Sequence, residues 1–158
     1  NGVLRYVMPT EGELENFYEV NLSDFDLEYE REKVSFWQAD ACNLKPLFKE
    51  FDLIFAGNLI DRLYDPQKFL DDVAARLNEG GMLILTSPYT WQEESTPKEK
   101  WVGGYKRDGE NVTTQEGLEE ILAKDFDLIA TRNIPFVIQE TARKHQYTIA
   151  HMTVWEKR

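Results

Sequence analysis

The chain has 158 residues, with an apolar fraction of 42% and an aromatic fraction of 13%. These are the values of one ordinary globular domain with a real core, and they exclude a disordered chain. The 18 Lys and Arg are scattered among 29 Asp and Glu, and the net charge of -11 argues against a nucleic-acid backbone or an anionic membrane as partner. Cys42 is the single cysteine, so an internal disulfide and a multi-cysteine zinc site are excluded, no metal is expected, and a reducing cytoplasm fits. No apolar run approaches the roughly 20 residues that span a bilayer. The opening "NGVLRYVMPTEGELENF" has neither the basic start nor the apolar block of a secretory signal.

In chain order, residues 1–33 read as an irregular or hairpin lead-in. "VLRYVM" is a short strand, Pro9 to Gly12 a turn, and "DLEYEREK" a solvated charged segment. From Val34 the pattern sharpens into 34–158. "VSFWQAD" has strand composition, and "FDLIFAGN" is the near-continuous apolar run of a parallel strand covered on both faces. Asp65-Pro66 opens a helix, with Asp as the cap and Pro in the first turn. Phe69, Leu70, Val73, Ala74 and Leu77 recur at helical spacing; Gly80-Gly81 ends the helix before the buried strand "MLILTSP".

Thr113 to Glu116 has the spacing of a capping box, with Leu118, Ile121 and Leu122 as the apolar face behind it. "FDLIATRNIPFVIQET" and "QYTIAHMTVWEKR" are the last two strands, the latter placing Tyr147, Ile149, His151 and Trp155 on one face. Strands alternating with helices define an α/β fold with a mainly parallel sheet. The last pair, joined by a short turn, is antiparallel.

In open α/β sheets, ligands bind beyond the carboxyl ends of the strands. That rule selects Asp40, Ala41 and Cys42 after the strand at Val34, and Gly57, Asn58, Asp61 and Arg62 after the strand at Phe51. After the strand at Met82 it selects Ser87, Tyr89, Trp91 and Glu93, leading toward Trp101. His145 and His151 have no partners at metal-ligand spacing, which leaves them core or surface roles.

"FWQADACNL", "FDLIFAGNLIDRLYDPQKFL" and "LNEGGMLILTSPY" resemble the third, fourth and fifth strand motifs of class I S-adenosylmethionine-dependent methyltransferases. The resemblance implies a Rossmann-like methyltransferase sheet with S-adenosylmethionine as cofactor. Asp40 then matches the acid that binds the adenine amino group, Ala41 the main chain beside the ring, and Cys42 lies close to it. Ala56, Gly57 and Asn58 match the residues lining the methionine end and the transferred methyl. "LRYVMPTEGEL", "NLIDRLYDP", "LTSPYTWQEESTPKEKWVGGYKRDGEN" and "IPFVIQETARKHQYT" together resemble the methyltransferase domain of the ovothiol pathway, the 4-mercaptohistidine N1-methyltransferase family fused to 5-histidylcysteine sulfoxide synthase.

That resemblance implies methylation of a mercaptohistidine imidazole. Arg62 would grip the substrate carboxylate, Asp61 or Glu93 would hold its ammonium or accept the imidazole proton, and Asn58 would bond the ring. Tyr89, Trp91 and Trp101 would wall the pocket; the alternative for the two tryptophans is packing of the loop itself. The family's glycine-rich first motif is absent, and Gly103-Gly104 falls too late to replace it. The expectation is therefore a domain lacking its first two strand–helix units, completed by an upstream part of the same polypeptide or by a partner chain. The alternatives are a non-catalytic, truncated Rossmann-like interaction module and a methyltransferase for another small molecule.

Overall fold

A computed structural model describes residues 2–27 and 32–158. The chain divides into two compact units, Asn1–Gln38 with Phe136–Thr148, and Ala39–Pro135 with Ile149–Arg158. In the first unit, β1 (Val3–Glu11) and β2 (Leu14–Asn21) form an antiparallel hairpin. The turn expected over Pro9 to Gly12 forms only at the end of that range. Pro9 lies inside β1 at a register shift, where a missing N–H is tolerated, and the chain reverses at Gly12, whose φ of 56° is left-handed. Tyr6 and Tyr18 face each other across the hairpin, rings 5.1 Å apart and stacked. Of the charged segment 26–33, residues 28–31 lie outside the described residues.

The strand expected over 34–40 does not form. These residues take no regular secondary structure, and Phe36 is 93% exposed. A strand exists only by pairing with another, and no strand among the described residues pairs with this segment. That sheet has the order β3-β4-β8-β7, with β3 (Phe51–Gly57), β4 (Leu77–Ser87), β7 (Phe126–Gln139) and β8 (His145–Lys157). β3 runs parallel to β4 and β8 antiparallel to β4. β7 returns beside β8 through a turn closed by Glu140 N–H to Lys144 O, and Arg158 N–H meets Asp125 O at the far end. Thus β3, β4 and β7 share a direction and β8 alone opposes them, the mainly parallel α/β arrangement expected. A small hairpin, β5 (Tyr105–Arg107) with β6 (Glu110–Val112), stands apart from this sheet.

α1 (Pro66–Asp72) joins β3 to β4, and α2 (Thr114–Leu122) precedes β7. The α1 segment ends earlier than its sequence period implies. A 3-10 turn over Val73–Arg76 follows, and β4 already begins at Leu77. Phe51 pairs with Leu77 but Leu53 with Met82, so residues 78–81 bulge out of the ladder, with Gly80 in the left-handed region at φ 71°. The five apolar residues read as the helix face are nevertheless all buried.

Asp65 occupies the cap position of α1 without a side-chain capping bond; its carboxylate instead receives Lys100 Nζ at 2.7 Å. In α2 the capping box forms as read. Thr113 Oγ1 accepts from Glu116 N–H at 3.2 Å and Glu116 Oε2 from Thr113 N–H at 2.7 Å.

The core lies on one face of the sheet. Leu83, Leu85, Phe126 and Trp155 pack with Ile60, Leu70, Leu118 and Leu122. Close approach is set by glycines. A Cβ on Gly117 of α2 would stand 1.8 Å from Val102 O, and one on Gly103 would stand 2.4 Å from the Thr113–Thr114 backbone. Gly103 thus serves helix packing. The opposite face of β3 departs from the expected two-sided burial. Phe51, Leu53 and Phe55, alternate residues on one side, are 40%, 54% and 64% exposed, and β3 is also the edge strand. Among the described residues no helix is long and apolar enough to cross a membrane.

Candidate functional site

All the strand exits named from sequence fall in the second unit. At the end of β3 the chain turns at Asn58 with φ 51°, a conformation Asn tolerates better than most residues. Its N–H donates to Thr86 O at 2.8 Å and to Thr86 Oγ1 at 3.1 Å, and Thr86 Oγ1 donates to Asn58 Oδ1 at 3.3 Å. The ends of β3 and β4 are therefore clamped together at the point where their side chains become available. Gly57 leaves room there, since a Cβ would stand 2.9 Å from the Phe55 ring. Ala56 beside it is buried.

The next turn, Ile60–Arg62, buries Asp61 to 1% exposure. Asp61 Oδ2 accepts from Thr90 N–H at 3.1 Å, Thr90 Oγ1 at 3.1 Å and Arg62 Nη1 at 3.0 Å. Arg62 Nη1 also donates to Asp61 O and Thr90 O, and Nη2 to Thr90 Oγ1. The role expected of Asp61, as ammonium ligand or proton acceptor, gives way to a positioning role. Its carboxylate is buried and ties the β3 exit to the β4 exit. Arg62 shares that tie and keeps Nε without a hydrogen bond among the described residues.

Tyr89 follows β4 with φ 55°, a rare conformation for a bulky aromatic. Its N–H donates to Ser87 Oγ at 3.0 Å, and its hydroxyl lies 2.8 Å from Nδ1 of His151. Burial, followed by the charge of Asp61, pushes the Tyr89 phenol up to about 12. His151 is a residue that sequence reasoning missed. Its only signal was its place on the alternating face of the last strand, which says nothing of Tyr89.

A second group forms around Asp40. Its exposed carboxylate receives Cys42 N–H on Oδ1 at 2.8 Å and the Tyr64 hydroxyl on Oδ2 at 2.8 Å. The bond to Asp40 pushes the Tyr64 phenol up to about 12. Two of the roughly four lone-pair sites of a carboxylate are used, so Asp40 retains acceptor capacity for an amino group. Half-buried Cys42 has its thiol pushed up by burial and donates it to Asp65 O at 3.3 Å. Ala41, between them, is half-buried as well. Tyr64 too was missed, although it lies within the "NLIDRLYDP" exit loop.

The tryptophans hold the loop after β4. Trp91 Nε1 donates to Thr114 Oγ1 and Trp101 Nε1 to Thr96 O, each at 2.9 Å, and the two rings stack at 6.2 Å. Trp91 is thereby an anchor on α2, the loop-packing role that stood beside the pocket-wall role. Trp101 also lines an open depression of about 570 Å³ with Lys98, Glu99 and Tyr105. Glu93 is exposed on the same loop, and among the described residues no hydrogen bond ties it to the Asn58–Tyr89 group.

A sheet whose codirectional strands deliver these polar groups at one edge defines an α/β fold with its ligand site at the strand carboxyl ends. The family described as a methyltransferase domain matches residues 2–85, more than half of the chain. The chain belongs to that family. No curated protein matches it.

Solved structures with the same fold include one described as the conversion of a disulfide bond into a thioacetal group during echinomycin biosynthesis. It has TM-score 0.54 and 12% identity, covering 86% of this chain and 61% of that one. The 4+2 cyclase SpnF has TM-score 0.51 and 15% identity, with coverage of 85% and 62%. YcgJ from Bacillus subtilis has TM-score 0.51 and 16% identity, with coverage of 87% and 76%. The chain thus spans about three-fifths of the length of the first two. One of these neighbours is a cyclase, so the likeness carries fold and not reaction.

Proposed function

We propose that the chain is the acceptor-side portion of an S-adenosylmethionine-dependent N-methyltransferase acting on the imidazole of a mercaptohistidine, as in ovothiol biosynthesis, in a reducing cytoplasm. The observation that carries the methyltransferase reading is the joined exit of β3 and β4, where Asn58 and Tyr89 both take left-handed backbone and are tied across Thr86, Asp61 and Thr90. Strained backbone held in place by its surroundings concentrates at functional sites. The mercaptohistidine acceptor rests on the motif resemblance alone.

The residues present fit the cofactor. Asp40 has open acceptor sites for the adenine amino group, with Ala41 and Cys42 beside it. Gly57 and Asn58, at the β3 exit, would line the methionine end, whereas the Ala56 side chain, matched to the same end by the resemblance, is buried in the core. When bound, the cofactor supplies an electrophilic methyl group. This chain's part is to place the acceptor in line with it, and such positioning supplies roughly 7–11 kcal/mol in good cases. Arg62 offers its uncommitted Nε edge to the substrate carboxylate, Asn58 bonds the ring, and Glu93 holds the ammonium.

The free edge and exposed apolar side of β3 support pairing there with a further segment, from the same polypeptide or a partner chain. The same observation favours a second reading, a non-catalytic module whose task is that pairing. Calorimetric titration of S-adenosylhomocysteine separates them. Micromolar binding by this chain, or by a longer polypeptide containing it, is the expected result. Absence of binding by both would remove the methyltransferase reading and leave the module. Screening methyl transfer to mercaptohistidine against other small amines then tests the acceptor.

A further inference from the structure

β8 pairs with β4 so that His151 stands opposite Ser87, the last residue of β4. The ring is therefore delivered to the carboxyl end of a parallel strand from the one strand that runs the other way. Tyr89 reaches it from the loop after β4. Its hydroxyl lies 2.8 Å from Nδ1, and the two rings meet edge to face at 5.7 Å and 61°. Tyr89 holds this position through a left-handed backbone and the Ser87 bond. The tie between Asp61 and Thr90 then fixes the next residue. Nε2, the other ring nitrogen, makes no hydrogen bond among the described residues. It is also not among the buried polar atoms that lack a partner. One nitrogen of His151 is thus engaged by Tyr89, and the other is left without a partner and not sealed from solvent, on the residue opposite the end of β4.

We propose that His151, oriented by Tyr89, receives at Nε2 the proton released by the methyl acceptor. This rests on the methyltransferase reading and adds a residue to it. In the step, the acceptor nitrogen's lone pair forms the new bond to carbon, and the pair of the broken carbon–sulfur bond leaves with sulfur. The acceptor's proton passes to Nε2. The imidazolium so formed keeps its Nδ1–H on the Tyr89 oxygen, and the phenol keeps its own proton, consistent with its raised pKa. Which ring nitrogen carries the proton in a neutral histidine is set by the hydrogen bond the other makes; the step requires the tautomer in which Nδ1–H donates to the Tyr89 oxygen, which leaves Nε2 as the acceptor.

The chain has two histidines, so a nitrogen-15 spectrum resolves His151 once His145→Gln assigns the other signal. The expected result at neutral to mildly alkaline pH is an Nε2 resonance typical of unprotonated nitrogen, lost or averaged in Tyr89→Phe. A protonated Nε2 in the wild type would overturn the proposal, because that nitrogen then has no lone pair to offer. In turnover, His151→Gln is expected to lower kcat by about 100-fold or more, the usual range for a lost general base. S-adenosylhomocysteine affinity should stay within twofold, and added imidazole should restore rate to His151→Ala. A kcat within threefold of wild type would refute the role. The two failures are distinguishable: a chain that binds no S-adenosylhomocysteine fails as a methyltransferase, whereas the spectrum judges the His151–Tyr89 pair alone.

Discussion

Asp61→Asn tests whether charge, and not shape alone, holds the strand exits together. Asparagine matches the carboxylate in size, so its oxygen takes the Oδ2 position and its amino group the Oδ1 position. In the wild type Oδ2 carries three donors, while Oδ1 is buried without a partner. The variant keeps an acceptor for Thr90 but loses the charge, and it buries an amide N–H pair with nothing to accept it. A hydrogen bond to a charged group contributes about 1.5–3 kcal/mol against about 0.5–1.5 for a neutral one, so each of the three bonds loses about 1 kcal/mol. The Arg62 share is smaller, because that side chain is 40% exposed and solvent screens it. A net loss of about 2–3 kcal/mol follows after allowing for non-additivity, read as a lower urea midpoint at unchanged m-value, using the four tryptophans as reporters. Combining Arg62→Gln with Asp61→Asn should cost less than the two single losses summed, since the two share one ion pair. A change below about 0.5 kcal/mol in Asp61→Asn would refute the charged tie.

Three more outcomes are expected. Gly117→Ala forces a methyl to within 1.8 Å of Val102 O; overpacking of this kind costs about 1–3 kcal/mol or more, and thermal melting should show it while Gly109→Ala, with nothing near its Cβ, isolates the cost of a positive φ. Tyr64 and Tyr89 are both raised to about 12, so ultraviolet titration should show two phenols ionising about two units above a model tyrosine, one lost in Tyr64→Phe and one in Tyr89→Phe. Because the folded value exceeds the unfolded one, their contribution to stability is complete below about pH 10 and is lost as pH rises toward 12. Asp65 is held below its usual range chiefly by Lys100; its contribution is present above the ordinary carboxylate pKa and lost as pH falls through the depressed one, and Lys100→Met should remove that segment of the acid unfolding curve.

Elements stabilised by their own residues could be read from sequence. The α2 capping box is local chemistry, and Thr113 and Glu116 satisfy each other wherever the helix goes. The strand 51–57 follows from a near-continuous apolar run. Elements that depend on what lies beside them could not be read. "VSFWQAD" has the composition of a strand, yet no ladder receives it, and composition carries no information about a neighbour. The helix end was misread for a similar reason. The apolar period continues to Leu77, but that residue is claimed by Phe51 across the ladder, and the strand begins three residues before the glycines. For the site, the strand-exit rule found Asn58, Asp61 and Tyr89, because position in an α/β sheet predicts where side chains emerge. It found neither burial nor partners. Asp61 looked available and is sealed, while His151 looked inert and faces Tyr89.

These two reversals have one cause. A polar residue at a strand exit either meets a ligand or secures the loop that does, and the choice is made by the neighbouring exit. Asp61 precedes an arginine whose guanidinium already bridges to Thr90, so its carboxylate completes an internal network and its field acts on Tyr89 from within. His151 arrives on the antiparallel strand, from the opposite direction, and reaches the same edge with only one nitrogen occupied. The antiparallel strand therefore has chemical consequences. It brings to the carboxyl edge of the parallel strands a side chain that no parallel crossover would deliver there, and the left-handed turn at Tyr89 is the conformation that lets the β4 loop fold back to meet it.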